Sequence, residues 1–455
     1  MKYLFFIAAV LGILPATIFL LCDRRLIRWS ATMLFLPLCI FETTSINFFP
    51  YESYRGTSRG MEISLVYIIA ATLLLVFTIL RGARKLFPDW GSRLYGLYFL
   101  LCIPSLLNAP RMEYFFFELW KMAMMHLVFM AVYYYLEFND GDLDNLLYGV
   151  AILVAVNFGM VLYQHHYGIY QVKGFFPHQN SMAMFMLMAG LLFFSYSFNN
   201  RERWKNIVFF LAFLLASASL ARSYSRGALF CYPIGGLLMY LCSLWGGLST
   251  HKMRYTLLLA PFVIMGLIVF TPQIIERFQK APEASGETRK ILATSATNMI
   301  KDKPWIGVGL NNWHVVLKNS PRYNADDTYD DEKMTGIVET IYLLVGAECG
   351  IPCLAALLAW FGYYWISTIR LMKLLRRTRY FYIPAGLFGA LTGVFLQSSL
   401  EWVLKQQLNF IWLVTLFAII SFLNKHYKEL VAMEPPPPVE RKREPVPALL
   451  PRDWD

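Results

Sequence analysis

Charge is what this sequence has least of. Asp, Glu, Lys and Arg make up 16% of its residues, while 57% are hydrophobic. Soluble domains carry about 25% charged residues, so a soluble globular fold is excluded. Apolar runs long enough to cross roughly 30 Å of hydrocarbon recur along the chain, as in a polytopic membrane protein. Cysteine chemistry is also missing from the pattern. The seven cysteines (Cys22, Cys39, Cys102, Cys231, Cys242, Cys349 and Cys353) lie in or beside apolar spans, and no two form a C-x-x-C pair. They read as small apolar side chains, so no metal site and no cofactor are expected. There is no Walker loop, no ATP-binding module and no sustained internal repeat. The net charge of +11 does not require nucleic acid, because basic residues collect in the cytoplasmic loops of membrane proteins.

Hydropathy divides the chain into thirteen spans, ten within residues 1–272 and three within 339–423. Residues 424–455 form a polar tail containing four prolines (435–438), read as a disordered cytoplasmic end. Alternate loops carry DRRLIR, RGARK, NNRERWK, HKMR and IRLMKLLRRTR, and the positive-inside rule makes these cytoplasmic. The amino terminus, the HQN loop, the SYSR turn, the EWVLKQQ link and residues 273–338 are then outside. Glu118 and Lys121 sit three residues apart in span five, close enough to pair on one helical face. Two readings stand: a structural ion pair, or the wall of a substrate cavity.

Residues 273–338 hold the soluble mass of the chain, and the chemistry is expected at this loop and the neighbouring span mouths. Four clusters stand out there. Gly174 to Asn180 form a turn opening a helix, with His178 and Asn180 available for substrate and Asn180 also placed as an N-cap. Arg222 and Arg226 share one face if the helix continues through Ser223-Tyr224-Ser225, giving a fork for phosphate oxygens or two arginines snorkelling to lipid headgroups. In the loop itself, Arg289 precedes a run whose Leu292, Ala296, Met299 and Ile300 are spaced for an amphipathic helix lying on the membrane. Pro304, Gly307 and Gly309 then make a tight turn that is no dinucleotide fingerprint. The fourth cluster joins Glu339, Thr340 and Tyr342 to Glu348. A carboxylate half-desolvated at the mouth of span eleven is suited to general-base work. Glu339 and Glu348 are half a turn out of phase and cannot form a dyad on a straight helix.

In this order the clusters G-F-F-x-x-x-N, S-R-G-A, an arginine in a long outer loop, D-x-P-x-x-G-x-G and Y-L-x-x-x-x-E-x-G-I resemble the O-antigen ligase/polymerase superfamily over roughly Gly174 to Leu354. The resemblance implies an all-α, GT-C-like glycosyltransferase of the bacterial cytoplasmic membrane, metal-independent and facing the periplasm or exterior. Its donor would be an undecaprenyl diphosphate-linked glycan, and its acceptor a glycan, lipid or protein. By that resemblance Arg226 and Arg289 hold the diphosphate. The family usually has His-Asn where this chain has Glu339-Thr340. Glutamate can serve as base but not as a cation, so phosphate stabilisation passes to the arginines, with Arg222 as an accessory. His314 is the one histidine of the loop and is a candidate to stand in for the missing one.

The expectation is therefore direct displacement at the anomeric carbon, with Glu339 (or His314) as base and Arg226 and Arg289 on the departing lipid diphosphate. Ligase and polymerase differ only in the acceptor. A non-enzymatic transporter of the same lipid-linked sugars is the alternative from another class, although such proteins carry inverted repeats that this chain lacks.

Overall fold

The computed structural model describes residues 2–40, 44–50, 54–82, 85–198, 202–247, 253–254, 256–258, 283–323 and 336–433. Span ten, the acidic run Asp326 to Glu332 and residues 434–455 lie outside the described residues.

The chain is an all-α polytopic membrane protein. Its helices are α1 (Lys2–Leu11), α2 (Ile13–Cys22), α3 (Arg24–Phe35), α4 (Leu65–Arg81), α5 (Trp90–Cys102), α6 (Met112–Phe138), α7 (Asp144–His166), α8 (Gln179–Tyr196), α9 (Arg203–Ser223) and α10 (Arg226–Ser243). They continue with α11 (Glu283–Asp302), α12 (Trp313–Asn319), α13 (Ile341–Leu374), α14 (Tyr382–Ser398) and α15 (Gln407–Ala432). Among the described residues, seven stretches are long and apolar enough to cross a membrane: α6, α7, α9, α10, α13, α14 and α15, while α2 and α4 are shorter apolar helices. Spans two and four fall on α3 and α5, of 12 and 13 residues, each prolonged by a short 3-10 turn. The final helix runs past Leu423 to Ala432, so the polar tail begins later than hydropathy sets it. Residues 424–432 are good helix formers, and His426 there reaches Glu137 at 3.4 Å.

The centre of the bundle is occupied by α8 and α15. Both are apolar on every face, which suits a helix surrounded by others. Every residue from Ser181 to Tyr196 is buried, as is every residue from Leu408 to Leu423. Helix α8 packs against α9, α10, α14 and α15.

One hairpin interrupts the helices. Strands β1 (Ser45–Phe48) and β2 (Met61–Ser64) pair antiparallel, with Ser45 opposite Ser64 and Phe48 opposite Met61. Asn311 anchors the loop between them, receiving the Thr57 N–H at 2.9 Å and donating to the Ser58 carbonyl at 2.9 Å. Tyr54 stacks on Tyr114 with centroids 3.7 Å apart.

Two motifs of the sequence fit into each other. Helix α13 breaks at Gly350, whose φ of 87° and ψ of 172° are non-helical, and Pro352 follows. The break strands backbone groups that a lipid environment would leave unpaired. The Pro304–Gly309 turn supplies their partners. Val308 donates to the Ala347 carbonyl at 2.9 Å, Gly309 to the Glu348 carbonyl at 2.9 Å, and Ile351 to the Pro304 carbonyl at 2.7 Å. Contact is backbone on backbone: a Cβ on Gly307 would stand 2.3 Å from the Glu348 carbonyl carbon.

That docking also decides where the amphipathic helix lies. Leu292, Ala296 and Met299 of α11 are buried, in a cluster with Leu344 and Ala347 of α13 and with Trp313 and Val316 of α12. The apolar stripe expected to rest on lipid rests on protein. The correction has a simple cause: a helix face of that pattern is equally suited to a bilayer or to an apolar helix beside it.

Beneath the hairpin lies a buried set of four charges. Glu118 and Lys121 pair at 2.7 Å with side chains 0% and 6% exposed. Lys405, from the link between α14 and α15, reaches Glu118 at 3.2 Å and Glu348 at 3.6 Å. Thr57 and Ser58 hydroxyls donate to Glu118 at 2.7 and 2.6 Å. With two cations, two anions and added hydrogen bonds, the set meets the condition under which buried charge is tolerated. Glu118 and Lys121 thus form a structural pair, and Lys121 also borders a cavity.

Candidate functional site

Four segments converge where the long loop returns to the bundle. The first is the junction of α9 and α10. Tyr224 takes a left-handed φ of 50°, ending α9 at Ser223, and the Ser225 hydroxyl caps α10 by accepting the Ala228 N–H. The helix therefore does not continue, and Arg222 and Arg226 do not share a face, contrary to the fork read from their spacing. Arg222 ends at His165 Nε2, 2.9 Å away on the last turn of α7. Arg226 opens α10, and its charge acts on Glu339.

The second segment is α11, which carries Arg289. Its guanidinium donates to Glu339 at 3.0 Å, with the two side chains 40% and 39% exposed. The Nε–H of Arg289 is buried and has no acceptor among the described residues. A charged donor left over in this way can bind an anion. Glu339 itself, the third segment, lies just before α13. Burial raises its pKa, and the Arg289 and Arg226 charges only partly offset this.

The fourth segment is the link between α14 and α15, and it contributes a residue that the sequence reading did not single out. Glu401 is 4% exposed, lies over Gly227 and receives a weak 3.5 Å hydrogen bond from Gln397. Burial and then the negative charge of Glu339 push its pKa up to about 8, against the opposing pull of Arg289, Gln397 and Ser225. Near neutral pH, Glu401 thus holds a proton while Glu339 faces two guanidiniums. Two carboxyl groups with separated proton affinities beside two arginines can pass a proton and bind a phosphate. The only sequence signal for Glu401 is an acid in a short link between two spans.

Glu401 also gives the fold a pH dependence. Its pKa is about 8 in the folded chain, against roughly 4.3 for an ordinary glutamate. Between those values the folded state keeps a proton that the unfolded state has lost, so the stability it contributes below that window is lost as pH rises through it. Replacing Glu401 by Gln is expected to remove a decline of roughly 5 kcal/mol across the window. Thermal unfolding in detergent between pH 5 and pH 9 checks this, and parallel wild-type and variant curves would contradict it.

The other sequence candidates are placed as follows. His178, not Asn180, is the N-cap of α8: its Nδ1 accepts the Asn180 N–H at 3.2 Å. Asn180 lies inside the first turn because the helix begins at Gln179, two residues earlier than Asn180 as cap requires. The Tyr342 hydroxyl donates to the Phe395 carbonyl at 3.0 Å, tying α13 to α14. His314 on α12 stands edge-on to Tyr54 at 6.4 Å, and the charges that act on Glu339 are those of Arg289 and Arg226. Glu348 turns to Lys405 and not to Glu339.

Among the described residues, one group could supply metal-ligand atoms. Cys102 of α5 and Cys349 and Cys353 of α13 place their sulfurs within 4.8 Å of one another, fully buried. Cys102 and Cys353 are 3.4 Å apart. Their separation in sequence hid this grouping. It lies between α5 and α13, apart from the arginine–carboxylate set.

Residues 211–358 match a family model described as O-Antigen ligase (Wzy_C). The match spans Arg226, Arg289 and Glu339 and stops before Glu401. No curated protein matches the chain.

Proposed function

We propose that this chain, whose residues 211–358 match a family model described as O-Antigen ligase, moves a glycan from an undecaprenyl diphosphate carrier to an acceptor hydroxyl on the outer face of the cytoplasmic membrane. The observation that carries the proposal is the Arg289–Glu339 pair, with Arg226 acting on the same carboxylate and a spare Nε–H on Arg289. The donor's diphosphate exchanges places with Glu339 on the guanidiniums. Binding thereby releases the carboxylate to act as base.

The chemistry is one displacement. Glu339 takes the proton of the acceptor hydroxyl, the acceptor oxygen bonds to the anomeric carbon, and the bond from that carbon to the carrier phosphate breaks. The electron pair leaves on the lipid diphosphate, where Arg226 and Arg289 meet the developing charge. Glu401, protonated near Glu339, is a second carboxyl group available to carry the proton. With the arginines on the departing diphosphate and the carboxyl groups carrying the proton, transfer is expected to survive a chelator.

Purified protein given a carrier-linked glycan and an acceptor is expected to release free undecaprenyl diphosphate. Glu339→Gln should lower that rate by about 100-fold or more. If the wild-type protein releases no carrier diphosphate, the enzyme reading fails and the transporter reading gains. An unchanged rate in Glu339→Gln would remove only the base assignment. A product that stays on the carrier identifies a polymerase, and one that leaves it a ligase.

A further inference from the structure

A cavity of about 350 Å³ opens between the β1–β2 hairpin, the Phe175–Pro177 turn and the Trp402–Leu408 link. That volume falls within the ~300–1,000 Å³ range of small-ligand sites. Its position ties it to the reactive set. Trp402 follows Glu401 in the chain, lines the cavity, and also packs against the α11–α13 cluster that positions Arg289. The floor is rigid: Lys121 lines it and donates to the Lys405 carbonyl at 3.0 Å within the buried charge set.

The walls combine two kinds of surface. Trp120, Phe175 and Trp402 provide aromatic rings, and Asn47, Gln406 and Gln407 provide amides. The Asn47 Oδ1 and Gln406 Oε1 atoms are buried and accept no hydrogen bond among the described residues. Buried amide oxygens of this kind are normally paired, and rotation of either side chain would offer its oxygen to a donor in the cavity that both residues line. A lipid tail cannot supply donors. A diphosphate supplies none either: the exposed Arg59 of the lining could meet its charge, but the amide oxygens would stay unpaired, and the buried Lys121 is already paired with Glu118. A pyranose ring fits both surfaces: its hydroxyls donate to the amide oxygens, and its C–H faces lie on the electron-rich faces of the rings.

We propose that this cavity is a saccharide subsite, holding pyranose units of the glycan whose transfer is catalysed at Arg226, Arg289 and Glu339. The proposal rests on the glycosyl-transfer reading above for which glycan is held, but binding itself can be tested apart from transfer. The sugar units come either from the donor or from the acceptor.

The test uses the full-length protein in detergent and, as probe, the oligosaccharides released by mild acid hydrolysis of surface polysaccharide from the source cell. Equilibrium dialysis is expected to show binding by the wild type and by Arg289→Ala. The double variant Asn47→Leu/Gln406→Leu should bind about tenfold more weakly. In steady-state transfer, that variant should raise KM about tenfold for one substrate with kcat nearly unchanged. A raised KM for the carrier-linked glycan assigns the cavity to the donor, and a raised KM for the acceptor assigns it to the acceptor. A wild type that transfers glycan yet binds no oligosaccharide overturns the subsite and leaves the transfer reading intact. Oligosaccharide binding without any transfer would overturn the transfer reading and keep the subsite as a saccharide site. If the double variant fails to fold, the single variant Gln406→Leu takes its place in both measurements.

Discussion

A protein with Arg226 and Arg289 both replaced by alanine is expected to lose about a thousandfold or more in the release of carrier diphosphate. Each guanidinium is assigned to charge that develops as the anomeric bond breaks, and removing one such donor from a preorganised site costs roughly 3–4 kcal/mol of barrier. The single variants should each lose about 100-fold, and the double variant falls short of the product if either arginine partly covers for the other. Stability should change little. The Arg289–Glu339 pair is 3.0 Å long but about 40% exposed on both sides, and exposed pairs contribute about 1 kcal/mol or less. Loss of activity with an unchanged melting profile therefore separates a role in chemistry from a role in folding. Single-turnover release from a carrier-linked glycan is the measurement, and full turnover by the double variant would sink the assignment.

Gly350→Ala is expected to damage the fold itself. At φ 87° a side chain adds strain of about 1–3 kcal/mol. The added Cβ would also stand 2.5 Å from the backbone of Trp305, an atom that cannot swing aside. Relief requires the Pro304–Gly309 turn to withdraw, which releases the Val308, Gly309 and Ile351 hydrogen bonds from an apolar setting. The combined cost should exceed roughly 4 kcal/mol, a large share of what holds a typical domain together. The variant should aggregate or melt far below the wild type in detergent. Gly286→Ala is the matched control. Nothing lies within 4 Å of a Cβ at that position, and a helical Gly→Ala change is neutral or stabilises by up to about 1 kcal/mol. A Gly350→Ala protein that melts like Gly286→Ala would show that the interlock contributes little.

The helical architecture was legible because hydrocarbon imposes it. Runs of apolar residues have one way to satisfy their backbone in lipid, and α6, α7 and α13 are where hydropathy puts them. Arg289 and Glu339 were both visible as candidates, but the 50 residues between them conceal that α11 lies along α13 and brings them to 3.0 Å. The spacing of Arg222 and Arg226 misled because it presupposes a helix, and one left-handed residue, Tyr224, removes it. Glu401 escaped for a different reason. An acid in a short link normally faces water, and only the closure of α14, α15 and α10 around it takes the water away. The Pro304–Gly309 turn and Gly350 each looked like a loose motif. Neither states in sequence that it is the other's complement.

The buried set of four charges also orders how the chain can be made. Glu118 and Lys121 enter together on α6 and offset each other at once. Glu348 arrives on α13, and its ion-pair partner among the described residues, Lys405, lies beyond α14. During synthesis α13 must therefore carry an uncompensated acid until the link before α15 emerges and turns inward. The charge set becomes complete only once Lys405 has been translated, after α14. A product that ends before Lys405 lacks the ammonium group that pairs with Glu348 and must bury that acid in its protonated form.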